Sequence, residues 1–178
     1  MAELLYQDEN AKVHSVNSFF NQKIRFAEDI EIWGLRDYWA TPLETLRQGR
    51  GDCEDYAIAK YFTLLQLGIP SARLRLVYAT LNEISRSPRA HMVLAFYPAT
   101  ESAPLILDNI QEAIEPGQKR FDLTPIFSFN TDGLWIGTGN QASRSTLARW
   151  QELLARARKD GSIQIYDSTT RYARLSRS

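Results

Sequence analysis

The chain has 178 residues, 44% hydrophobic and 24% charged, the make-up of a folded protein long enough to bury one sizeable core. Lys and Arg number 21, as do Asp and Glu, so no basic excess argues for nucleic acid and no single-sign block marks a charged tail. Apolar runs such as residues 92–97 fall far short of the roughly 20 residues a membrane helix needs. Cys53 is the only cysteine, which excludes an internal disulfide and any multi-cysteine metal site.

No repeat, low-complexity segment or Pro/Gly/Ser-rich linker divides the sequence, and a single domain over 1–178 is expected. Met1-Ala2-Glu3-Leu4-Leu5-Tyr6 lacks the cationic start and apolar core of a signal peptide, so an exported form requires a leader removed from this chain. The N-terminal third reads helical. Val13, Val16, Phe19 and Phe20 follow the i, i+3, i+4 rhythm of one buried face, and Ile24 continues it. Trp33-Gly34 and Trp39-Ala40-Thr41-Pro42 break that rhythm, and Thr41-Pro42 opens a short helix with proline at its first position. Gln48-Gly49-Arg50-Gly51 is a turn. A stronger helix follows, with Asp52 as N-cap, an apolar stripe of Ala57, Ile58, Tyr61, Leu64 and Leu65, and Gly68 and Pro70 as stop. Cys53 lies one turn before Ala57, on the same inward side.

The period then changes to two. Residues 73–80 alternate as a half-buried strand, 91–97 form a second strand, and 104–110 a third, joined by polar connections. Further strands are expected at 125–130 and 133–136. Residues 145–159 read as a helix with Leu147, Trp150, Leu153 and Leu154 inward, and the polar last dozen residues as a loose end. Helices first and an antiparallel sheet after them is the segregated α+β layout.

Chemistry gathers around Cys53. A helix N-terminus favours anions and lowers a thiol pKa. His91 opens one strand and Asp108 falls on what reads as its neighbour, so a hairpin can set imidazole and carboxylate side by side, fixing the tautomer while the other nitrogen faces the thiol. Taken singly, each residue has a plainer role: a cysteine as a small hydrophobe, a histidine at a strand start as structural, an aspartate before Asn109 as a turn former. The order Cys, His, Asp on helix, strand and strand favours an acyl-transfer triad.

The local motif is Arg50-Gly51-Asp52-Cys53-Glu54-Asp55-Tyr56. Its carboxylates disfavour a neighbouring thiolate and oppose the helix dipole. On spacing alone the simpler account is a capping box, with Asp52 capping, Asp55 reciprocating and Glu54 solvated. The other account is a hard divalent cation held by these oxygens, which suits calcium, although the motif matches no EF-hand loop.

Trp39-Ala40-Thr41-Pro42-Leu43-Glu44-Thr45-Leu46, Gly49-Arg50-Gly51-Asp52-Cys53-Glu54-Asp55-Tyr56-Ala57, His91-Met92-Val93-Leu94 and Leu107-Asp108-Asn109 together resemble the bacterial transglutaminase-like cysteine proteinases, over about Trp33 to Trp135. The resemblance implies a papain-like, transglutaminase-like fold with N-terminal helices packed against an antiparallel sheet. It implies Cys53 as nucleophile, His91 as general base and acid, Asp108 as orienter, and Asp52, Glu54 and Asp55 as calcium (Ca2+) ligands, so that metal takes precedence over the capping box. It further implies a periplasmic protease that cuts a large repeat-containing adhesin between two alanines of a Thr-Ala-Ala-Gly-like site, dispersing biofilm. A cyclic di-GMP-sensing membrane receptor of the LapD type would sequester it. A transglutaminase or amidase on another amide, or a non-catalytic calcium-binding module of the same fold, are the competing expectations.

Overall fold

A computed structural model describes residues 2–83, 86–99, 103–137 and 147–163. After a 3-10 turn at Ala2–Tyr6, helix α1 spans Glu9–Lys23. The Asp8 carboxylate caps it by accepting the Ala11 N–H at 2.8 Å. Val13, Val16 and Phe20 are buried as their spacing predicts, but Phe19 is 40% exposed, because the inward stripe of this helix is narrower than the pattern suggested. Strand β1 (Arg25–Phe26) and the short helix α2 (Asp29–Ile32) follow. Helix α3 (Pro42–Gln48) begins with proline inside a full capping box: Thr41 accepts the Glu44 N–H, and Glu44 accepts the Thr41 N–H. It ends on Gly49 at φ 61°, a left-handed backbone that glycine adopts without strain.

Residues 50–51, read from sequence as part of a turn, form strand β2 (Arg50–Gly51), which pairs in parallel with β1. That two-residue pairing sets the segment leading into α2 beside the start of helix α4 (Cys53–Gln66). Helix α4 is the pivot of the molecule. Its residues 55–64 are all buried, Asp55, Lys60 and Thr63 among them, so it is enclosed nearly all round rather than along the single stripe expected. Its end is a Schellman turn: Ile69 N–H bonds the Leu64 carbonyl and Gly68 N–H bonds the Leu65 carbonyl, both at 3.0 Å.

A six-stranded antiparallel sheet lies against α4. Its strands are β3 (Leu74–Leu81), β4 (Arg89–Phe96), β5 (Leu105–Leu107), β6 (Glu115–Pro116), β7 (Leu123–Phe129) and β8 (Leu134–Ile136), in the order β6-β5-β4-β3-β7-β8. Helix α5 (Ala148–Lys159) closes the far side through Trp150, which stacks on Phe62 of α4 at 5.5 Å. The expected start of this helix at 145 and the expected loose C-terminus lie outside the described residues.

One core joins these layers: Val16 and Phe20 from α1, Ile58 and Tyr61 from α4, Leu76, Met92, Leu94 and Phe129 from the sheet, and Leu153 from α5. Truncating a fully buried α4 side chain such as Ile58 or Leu64 to alanine should cost about 2–5 kcal/mol. Helices gathered on an antiparallel sheet give the α+β layout expected from the sequence. No helix among the described residues is long and apolar enough to cross a membrane.

Candidate active site

Cys53 begins α4 and is only partly buried, because it sits at the floor of a cleft of about 690 Å³. The cleft wall includes Trp39, Asp52, Glu54 and His91, with the Tyr78 and Phe127 rings stacked at 5.0 Å on one side. The thiol donates to Glu54 Oε2 at 3.0 Å. Burial, and then the charges of Glu54 and Asp52, push the thiol pKa well up, against a smaller lowering by the Met92 backbone N–H.

His91 pairs with Ala79 across the β3–β4 ladder and is 2% exposed. Its Nε2 lies 2.9 Å from Asp108 Oδ1. Asp108 does not lie on a strand, as its sequence context suggested: β5 ends at Leu107, paired with Leu94, and Asp108 is the next residue. Leaving the ladder frees its backbone groups for other partners. The Asp108 carbonyl accepts Asn21 Nδ2 at 2.8 Å and Lys60 Nζ at 3.1 Å. Oδ1 also accepts the Ile110 N–H at 3.0 Å, and Oδ2 accepts Arg120 Nη2 at 2.8 Å. Burial alone would raise the Asp108 pKa, but hydrogen bonds from His91, Ile110 and Arg120 bring it down to about 2. Asp108 is therefore an anion at neutral pH. An acceptor-only carboxylate requires the proton of the imidazole to sit on Nε2.

The acidic motif is arranged differently from a capping box. Asp52 occupies the N-cap position, yet its side chain makes no capping bond, and its Oδ1 is buried without a partner. Asp55 accepts the Ala40 N–H through Oδ1 at 2.8 Å, and the Asp52 backbone N–H acts to lower its pKa. Its Oδ2 is nevertheless buried and unpartnered. Gly51 allows this: a Cβ there would stand 2.9 Å from Asp55 Oδ2 and 2.7 Å from Asp55 Cβ.

The pairing of β1 with β2 brings in a third carboxylate. Asp29, 2% exposed, accepts the Tyr38 N–H through Oδ2, while Oδ1 is again buried without a partner. Asp29, Asp52 and Asp55 each offer an oxygen within 4.8 Å of the others, and a second such group joins Asp29, Asp37 and Glu54. Burial is the first cause that raises the pKa values of Asp29, Asp52 and Asp55. Mutual repulsion with Glu54 and with one another adds to it, taking Asp52 to about 10. Arg149 pairs with Asp37 and acts on Asp29 from the rim, but Asp52 and Asp55 are buried with no side-chain cation bonded to them, which is costly. Their spare oxygens converge, and all are hard donors of the kind calcium prefers. The donor set fits such an ion.

Of the residues singled out from sequence, His91 and Asp108 are in contact, Cys53 shares the cleft with His91, Asp52 and Glu54 lie beside Cys53, and Asp55 groups with Asp52. Sequence reasoning missed Asp29 and Asp37, which reach the motif through a two-residue strand pair, and Asn21, Lys60 and Arg120, which hold Asp108. Glu28-Asp29 upstream of Trp33 was the only local sign of the added acids, and nothing periodic marked the others.

The model of the bacterial transglutaminase-like cysteine proteinases (BTLCP) matches residues 2–136. Among solved structures, calcium-bound Legionella pneumophila LapG is similar at 43% identity and a TM-score of 0.78, over 87% of this chain and 83% of that one. EGTA-treated LapG from the same organism is similar at 41% identity and a TM-score of 0.78, over 87% and 82% of the two chains. A further Legionella pneumophila LapG structure gives a TM-score of 0.75 at 41% identity, with coverage of 87% and 82%. Comparison with curated proteins gives no match. With a matching family model over most of its length and the helix-on-sheet fold of those structures, this chain belongs to the bacterial transglutaminase-like cysteine proteinases.

Proposed function

We propose that this chain is a calcium-dependent cysteine endopeptidase with Cys53 as nucleophile, His91 as general base and acid, and Asp108 as orienter. The observation that carries the reading is the hydrogen bond of 2.9 Å between His91 Nε2 and Asp108 Oδ1, beside a cleft that His91 shares with Cys53. With Nε2 engaged, Nδ1 is the nitrogen left to take the thiol proton. The Cys53 thiolate attacks the scissile carbonyl. The Cys53 N–H, in the first turn of α4 where intrahelical partners are missing, donates to the developing oxyanion. His91, now an imidazolium paired with Asp108, protonates the leaving amine. As a neutral base it then activates the water that hydrolyses the thioester.

Asp52, Glu54 and Asp55, joined by Asp29, are the residues that would hold calcium. Bound there, it supplies the positive charge that cancels the carboxylates raising the thiol pKa. The three orphaned oxygens support this assignment independently of any relative.

Similarity to LapG extends the proposal to substrate and setting. The substrate is a large repeat-containing adhesin, cut between two alanines near its N-terminus in the periplasm. The regulator is a cyclic di-GMP receptor of the LapD type that withholds the protease. The stacked Tyr78 and Phe127 and the buried Trp39 line the cleft with flat aromatic walls, a lining compatible with small side chains at the scissile bond.

The test uses a peptide carrying Thr-Ala-Ala-Gly and mass-spectrometric detection of its fragments. Wild-type protein with calcium is expected to cut between the alanines, and Cys53→Ala to leave the peptide whole. Cleavage that survives Cys53→Ala refutes the nucleophile, while amide exchange in place of hydrolysis moves the chain to the transglutaminase reading.

A further inference from the structure

The far side of Asp108 is filled by a guanidinium. Arg120, 4% exposed, follows the 3-10 turn at Gly117–Lys119. Its backbone is pinned on both sides, its N–H bonding the Gly117 carbonyl and its own carbonyl accepting the Leu123 N–H, each at 3.1 Å. Nε donates to Asp122 Oδ1 at 2.9 Å and Nη2 to Asp122 Oδ2 at 2.7 Å, a two-point grip. The same Nη2 reaches Asp108 Oδ2 at 2.8 Å. The line runs Asp122, Arg120, Asp108, His91.

Resting on the reading of Cys53, His91 and Asp108 as the reacting set, we propose that Arg120, clamped by Asp122, is a positioning residue. It fixes the rotation and the charge of the Asp108 carboxylate, and through it the His91 ring.

Geometry carries the argument. A carboxylate bonded through one oxygen can swing about its Cβ–Cγ axis. Here Oδ1 is given to His91 and the Ile110 N–H, and Arg120 is the one group bonded to Oδ2, so rotation breaks the bonds on both oxygens together. Only a planar fork can grip Asp122 with two nitrogens and still present an N–H to Asp108; an ammonium has no such fixed directions. Stability gives a weak reason for this arrangement, since a buried ion pair often does no better than an apolar replacement. The groups facing Asp108 are His91 from β4, the Ile110 N–H, Lys60 from α4, Asn21 from α1 and Arg120 from the segment before β7. Lys60 and Asn21 hold the main-chain carbonyl, which leaves Arg120 as the cation on the carboxylate itself. The lowered Asp108 pKa agrees with that placement.

The experiment measures kcat, KM and the pH profile of peptide cleavage by the full chain with calcium, alongside a thermal melt. Arg120→Ala is expected to lower kcat about 10–100-fold, the scale on which outer partners of a functional group act. KM should stay within about twofold, since Arg120 is not a lining residue of the cleft. The acid limb of kcat/KM should move to higher pH, because an Asp108 without its cation takes up a proton sooner. Guanidinium ion at millimolar concentration should restore part of the rate. A folded Arg120→Ala with wild-type kcat and an unmoved acid limb overturns the proposal. Should that variant fail to fold, Arg120→Lys and Asp122→Asn decide. Both are expected to lose rate and shift the acid limb, the second more weakly, and wild-type behaviour in both overturns it. Cys53→Ala run in parallel separates the layers. Cleavage by that variant removes the catalytic reading and this inference with it, whereas a silent Cys53→Ala beside an unaltered Arg120 variant removes the Arg120 role alone.

Discussion

Two groups of carboxylates, one behind His91 and one beside Cys53, solve the same electrostatic problem in opposite ways. Around Asp108 every negative charge meets a donor or a cation from the chain itself: His91 and Arg120 on the carboxylate, and Arg120 again on Asp122. Around Asp52 the answer is partial: backbone N–H groups of Tyr38 and Ala40 reach Asp29 and Asp55, and the Arg149 guanidinium pairs with Asp37 at the rim. Asp29, Asp52 and Asp55 each leave an oxygen buried and bare, and their pKa values rise while that of Asp108 falls. The first group is complete in the folded chain. On the proposed reading the second is completed by a cation, so the histidine's support is set by folding and the acidic cluster beside the thiol by metal supply.

The largest effect expected from breaking this asymmetry is on the completed side. Asp108→Asn keeps the shape but removes the charge that holds the imidazolium and selects its tautomer. It should lower kcat about 10³–10⁴-fold, as loss of a triad aspartate does elsewhere. Calcium-dependent stabilisation should be unchanged in the same variant, and a melt with and without chelator checks this. A drop in both would mean that the two groups are not independent.

Next in size is the incomplete side. At a calcium concentration about 100 times its dissociation constant, a ligand bound only to the folded state adds roughly 2.7 kcal/mol. For a chain of this length that is about 5–10 °C in melting temperature. Chelator should remove that increment together with activity. Asp29→Asn should reduce it by weakening calcium binding, although Asp29 lies well outside the Asp52-Cys53-Glu54-Asp55 motif. Isothermal titration with calcium measures the affinity directly, and an Asp29→Asn protein that binds as tightly as wild type removes Asp29 from the ligand set.

How much of this was legible depended on whether a residue's partner was set by a local period. Alternation located β3, an apolar run ended by Pro98 located β4, and the Thr41-Pro42 and Gly68 signals bounded α3 and α4, because those features are written within a few residues. Asp108 was found through a motif but misplaced onto a strand, since a short apolar run does not say where its ladder stops. Asp29 left almost no trace. It reaches Asp52 through β1 and β2, where two residues a side give no pattern to read: Arg25 faces Arg50 and Phe26 faces Gly51. Arg120 was silent for a similar reason, as a buried ion pair joins chain segments by charge and distance rather than by periodicity. Asp52 and Asp55 were legible as acids but ambiguous in role. Only the unpartnered oxygens separate a cap from a cation site.

The smallest and most diagnostic effect is the pH dependence of stability, because the two groups predict slopes of opposite sign. The folded-state pKa of Asp108 is about 2, below its unfolded value of 3.8. Its contribution, on the order of 2 kcal/mol, is therefore fully present above pH 4 and lost as pH falls toward 2. Asp52 is raised from 3.8 to about 10, so without a cation the folded state binds more protons than the unfolded state between those values. Stability must then fall as pH rises through that window. Calcium competes with those protons, so in its presence the neutral-to-alkaline slope should flatten while the acid loss stays. Urea titrations at closely spaced pH values, with calcium and with chelator, measure both slopes in one series. A chelated protein whose stability holds level from pH 5 to 9 would mean that the acidic cluster already has its counter-charge, and the contrast between the two groups would collapse.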